Sequence, residues 1–139
     1  MLPSETKQLI RESWRTARGD VRPLTRRFYE RLFELAPSVR PLFPLDMRAQ
    51  RRKLADSLHA LVNALDDPST VIMALTRLAE RHDAYGARPE HYPVVGDALL
   101  DALRDQLGEE FTPQVEAAWA ELYGIASKVM IDAQQAAGV

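Results

Sequence analysis

Proline and glycine stand in this chain where helices begin and end, and that spacing restricts its fold more than any other feature. Pro3-Ser4 opens a segment to about Arg18, and Gly19-Asp20 closes it. A second segment runs from about Val21 to Ala36, with Pro23 tolerable in a first turn that has no use for its N–H. Pro37-Ser38 starts a short helical turn that must end near Pro41 to Pro44. Asp46 can cap a helix lasting to about Leu65, and Asp67-Pro68 restarts the chain toward Tyr85. Gly86 stops that helix, and Pro89 begins another to Leu107. Gly108 ends it, and Thr112-Pro113 opens a last helix to about Ala136.

Apolar periodicity agrees. Over 46–65, Met47, Leu54, Leu58, Leu61 and Leu65 share one face, with Arg52, Asp56, His59 and Asn63 on another. Val115, Trp119, Leu122, Ala126, Val129 and Met130 form a stripe in the last segment. No stretch alternates with period two long enough to make a strand. The prediction is all-α, and 139 residues suit one domain, residues 1–139, whose core needs no covalent staple.

Charge and composition exclude several classes of function. Eighteen basic and twenty acidic residues are interspersed to a net charge of -2, which gives no general attraction to nucleic acid or anionic lipid. The local exception is the run Arg48, Arg51, Arg52 and Lys53. Without cysteine there is no disulfide, thiolate ligand or thiol nucleophile. Neither a signal-peptide pattern nor a membrane-length apolar run is found, so the expectation is a cytoplasmic protein with no membrane partner.

Three polar side chains interrupt the apolar stripes, and a buried polar group is costly without a partner. The 68–85 stripe reads Val71, Leu75, Leu78 and then His82, which aims an imidazole at the interior. Gln50 shares a face with Met47 and Leu54, and Tyr29 lies beside the Phe28 and Leu32 stripe. Each has a plain explanation: a core histidine on a carbonyl, a solvated first-turn glutamine, a core tyrosine with its hydroxyl near water. One flat apolar cofactor with a central metal would account for all three at once.

In order and spacing, the chain resembles the globin family from about Ser4 to Ile131. The closest likeness is to the bacterial type found in flavohaemoglobin globin domains and Vitreoscilla-type haemoglobins. Phe28-Tyr29-Glu30-Arg31-Leu32-Phe33-Glu34-Leu35-Ala36-Pro37 resembles the second helix and its exit, with Phe43 fourteen residues beyond Tyr29. Gln50-Arg51-Arg52-Lys53-Leu54 resembles the start of the distal helix. Leu78-Ala79-Glu80-Arg81-His82, Tyr85-Gly86 and Glu90-His91-Tyr92-Pro93-Val94-Val95-Gly96 resemble the proximal helix and its exit. Trp119 and Tyr123-Gly124 match the last helix.

The resemblance implies a three-on-three helical sandwich, its helices crossing at about 50° around haem b. His82 would be the iron ligand, its other ring nitrogen donating to the Leu78 carbonyl. Phe43, Leu54, Leu78, Tyr85 and Val95 would line the pocket. Lys53 and Arg81 would pair with the haem propionates, with His91 a weaker candidate and His59 solvated. Tyr29 and Gln50 would donate hydrogen bonds to a bound diatomic gas, which makes tight dioxygen binding for transport, storage or scavenging the leading expectation.

Two alternatives accompany it. Nitric oxide dioxygenation would need a separate reductase, since no flavin or nicotinamide domain lies within these residues. Gas sensing would need an output partner. Flavohaemoglobins set a tyrosine and a carboxylate beside the proximal histidine. Tyr92 matches the tyrosine, but Gln134 stands at the carboxylate position, and a neutral amide weakens the enzymatic reading. Either a monomer or a homodimer fits.

Overall fold

The computed structural model describes residues 2–84 and 86–137 of the chain. Six α-helices follow one another: α1 (Ser4–Ala17), α2 (Val21–Leu35), α3 (Arg48–Asn63), α4 (Pro68–Ala84), α5 (Tyr92–Leu107) and α6 (Pro113–Ala137). Single 3-10 turns over 18–20, 37–42, 89–91 and 108–110 bridge them, and no strand occurs among the described residues.

The boundaries have local causes. Asp20 accepts the Arg22 N–H at 3.1 Å, Asp67 the Thr70 N–H at 3.2 Å, and Thr112 the Val115 N–H at 3.2 Å. Each fills a donor that a helix start leaves empty, worth about 1 kcal/mol per cap. Asp46 accepts the Arg48 N–H at 3.0 Å, but the cap position falls on Met47, so the helix begins one residue later than the sequence suggests. At the other end of α5, Gly108 takes a φ of +56°, open to glycine and strained for other residues.

The closest packing is between α2 and α5 and between α4 and α6; α1 rests on α6 and α5, and α3 on α2 and α1. Ile10, Leu24, Leu103 and Trp119 are wholly buried in the core that α1, α2, α5 and α6 share. Trp119 needs a partner for its indole N–H there, and Ser13 supplies it at 2.8 Å while passing its own proton to the Leu9 carbonyl. Between α5 and α6, the Tyr123 ring lies so close to Gly96 that an added Cβ would come within 2.7 Å of it. The same phenol donates to the Tyr92 carbonyl at 2.6 Å, which pins the first turn of α5.

Candidate functional site

The core is not continuous. One cluster joins α1, α2, α3, α5 and the first half of α6. A second gathers Val71, Leu75, Ala79, Tyr92, Ala126 and Met130. Leu61 packs against both. The helices α3 and α4 follow each other in sequence, yet α3 rests on α2 and α1 while α4 rests on α6. A seam therefore runs between them. Phe43, Gln50, Leu54, Leu78, His82 and Val95 are all half-buried, on apolar faces that would otherwise be sealed. A seam flanked by aliphatic and aromatic side chains, with a histidine in one half of the core and two hydrogen-bonding groups in the other, fits a flat apolar group with a central metal.

On the first side, Tyr29 is brought together with Gln50 and Phe43. The Gln50 amide donates to the Tyr29 oxygen at 3.1 Å, so the phenol keeps its own proton for a third group. Burial raises the Tyr29 phenol above its ordinary range, with the Gln50 bond pulling weakly the other way, so it stays a donor at any physiological pH. Phe43 packs edge-on to Tyr29, ring centres 5.6 Å apart, and to Phe33 at 5.4 Å. Phe33 is a member of this aromatic group that the sequence reading missed. Its position four residues after Tyr29, on the same helical face, was the available signal.

On the second side, His82 Nδ1 donates to the Leu78 carbonyl at 2.8 Å, one turn back along α4. That bond sets the tautomer and leaves the lone pair of the neutral ring on Nε2. Burial holds the imidazole below its usual titration range, against the pull of the Leu78 carbonyl and with help from the neighbouring Arg81 charge. A neutral ring is the form that can bind a metal.

Beneath α4, the Tyr92 hydroxyl and both amide atoms of Gln134 are buried without a hydrogen-bond partner. Such groups cost about 1–3 kcal/mol each unless something completes them. The Tyr92 phenol is also pushed up, by burial first and by the Asp83 charge second.

The remaining candidates lie at the margin. Lys53 and Arg81 are exposed, and among the described residues neither joins an ion pair. His91 is engaged at the start of its own turn, accepting the Arg88 N–H at 3.0 Å. His59 departs from expectation: it is half-buried, and the Trp14 indole donates to its Nδ1 at 3.2 Å. The polar face of α3 turns toward α1 there, and a periodicity argument cannot see that contact. Tyr85 lies outside the described residues.

Comparison with known proteins agrees with this architecture. The family model described as Globin matches residues 26–130. A flavohemoprotein of Rhodopirellula baltica is 34% identical over 134 residues, covering 94% of this chain and 33% of that protein. A flavohemoprotein of Chromobacterium violaceum is 35% identical over the same length, with the same coverage. The chain thus spans about a third of the length of these curated relatives. The solved structure of a bacterial globin from Campylobacter jejuni has a TM-score of 0.86 at 25% identity, covering 98% of this chain and 99% of that one. The match runs across both sides of the seam, and this chain belongs to the globin family.

Proposed function

We propose that this protein holds haem on His82 and binds a diatomic gas, dioxygen foremost, beside Tyr29 and Gln50. When bound, the haem iron supplies reversible coordination of such a gas and shifts electron density onto it. The observation that carries the reading is the Gln50–Tyr29 hydrogen bond, because its direction leaves the phenol proton to be given away. Two buried donors joined in this way favour a ligand with partial negative charge. Each is worth about 1–3 kcal/mol, and about 1.4 kcal/mol is tenfold in affinity. Phe43, Leu54, Leu78 and Val95 supply the apolar walls, and Tyr85 is proposed among them. Lys53 and Arg81, both exposed, are proposed to pair with the propionates of haem b, at about 0–1 kcal/mol each.

Absorption spectra in the ferric, ferrous and carbon monoxide forms, wild type against His82→Ala, test the reading. A histidine-ligated haem spectrum that is lost or reshaped in the variant supports it. A parent protein without a Soret band, or a variant with an unchanged one, overturns it.

A second reading is nitric oxide dioxygenation with a separate reductase, suggested by the flavohemoprotein relatives. The buried, uncharged Tyr92 and Gln134 speak for ligand binding over turnover, since a carboxylate there would push more electron density toward His82. Nitric oxide consumption with a supplied reductase separates the two. Fast turnover in wild type favours the enzyme, and turnover gained only in Gln134→Glu favours the binding protein.

A further inference from the structure

Away from the seam, α1 and α3 share one polar contact inside their packing. Trp14 is 3% exposed, and its indole N–H, which can only donate, points at His59 Nδ1 at 3.2 Å. The acceptor nitrogen must therefore carry a lone pair. A neutral imidazole has a single N–H, so the proton sits on Nε2, 3.1 Å from the Asn63 amide. Nδ2 is the Asn63 atom set there, so the amide must turn about its terminal bond for its oxygen to accept from Nε2. The two rings lie 6.4 Å apart, and Trp119 closes the other side of Trp14 edge-on at 6.3 Å.

Protonation removes the acceptor. An imidazolium has two N–H groups and no lone pair, so the Trp14 donor would face another donor while buried. By helical register, the charged neighbours on α1 are Arg11, Arg15 and Arg18, with Arg11 held by Asp66 at 2.6 Å. On α3 the neighbour is Asp56, one turn back, and α6 presents the uncharged Trp119. No carboxylate from α1 stands ready to reward the charged ring.

We infer that His59 is a neutral-imidazole clamp that seats α3 on α1 and lets go when the ring is protonated. The clamp is a property of the fold. Its consequence for gas binding, through Gln50 and Leu54 on the same helix, rests on the function proposed above.

Nuclear magnetic resonance of the isolated protein, in the carbon monoxide form if it carries haem, tests the clamp directly. At pH 8 the His59 ring nitrogens should report the proton on Nε2, with the Trp14 indole proton protected from exchange. As pH falls from 8 toward 5, the protection factor of that proton, corrected for the intrinsic slowing of exchange in acid, should drop at least tenfold. The Trp119 indole, bound to Ser13, should stay protected as an internal control. In His59→Gln, whose side-chain oxygen accepts at every pH, Trp14 protection should be flat.

A proton on Nδ1 at pH 8, pH-independent Trp14 protection in wild type, or the same pH dependence of protection in His59→Gln each overturns the inference. The ring tautomer is read on wild type alone, so the idea stays refutable even if the variant folds poorly. It is also independent of whether haem is present.

Discussion

Where α2 crosses α5 and α1 meets α6, the molecule is closed. Between α3 and α4 it is not. On the closed side, Ile10, Leu24, Leu103 and Trp119 are sealed, and the buried polar atoms of Ser13 and Trp119 have found each other. On the open side, aliphatic residues stay half-buried, and polar groups sit where a simple core would have placed leucine. Tyr92 of the second core cluster and Gln134 of α6 keep buried polar atoms without partners among the described residues. Stability is concentrated in one half, and incomplete burial in the other. Burial that is complete stabilises the fold, and burial left incomplete reserves room for something else.

The sharpest way to break this comparison is to cut both halves. Trp119→Ala should destabilise by about 3–5 kcal/mol in urea unfolding, since it removes the largest sealed side chain and strands Ser13. A loss under 1 kcal/mol would show that the closed half is not closed. Gly96→Ala should cost about 1–3 kcal/mol, because the new methyl meets the Tyr123 ring, and adding Tyr123→Leu should recover part of it.

In the open half the balance reverses. Tyr29→Phe should leave the urea midpoint nearly unchanged while dioxygen release in stopped flow speeds up about tenfold, the worth of one lost donor. An unaltered release rate would remove Tyr29 from the site. Gln134→Leu should be neutral or stabilising by about 1 kcal/mol, since it deletes two unpartnered buried atoms. A clear loss of stability would mean that the amide has a partner after all.

The smallest effect is at the surface. Hydrogen bonds from the Arg48 side chain, then from its N–H, hold the Asp46 carboxyl down to about 2. A carboxyl depressed in the folded state contributes stability that is complete above its ordinary range near pH 4 and is lost as pH falls through about 2. Asp46→Asn should therefore flatten only this acid limb, seen by comparing urea midpoints at pH 5 and pH 2.5. Being fully exposed, the pair should contribute little.

Much of this was legible in the chain. Pro68, Pro113 and Gly108 mark helix ends because backbone chemistry acts within a few residues. The stripe ending in His82 showed an inward imidazole for the same reason. Phe33 was legible but overlooked, lying one turn after Tyr29 on the same face of α2, whereas His59 under Trp14 was not, because that contact depends on which helix lies opposite. Asp46 shows the intermediate case: it does take a first-turn N–H, but the cap position falls one residue later, on Met47.

Where the chain turns, which faces are apolar and which polar residues interrupt them are readable from the residues alone, because they depend on near neighbours and on a period of 3.6 residues. Folding alone sets α3 and α4 on different partners, brings Gln50 to Tyr29 across twenty-one residues of chain, and buries Tyr92 and Gln134 without partners among the described residues. Those outcomes depend on how whole helices divide a limited interior, which no short stretch of sequence encodes.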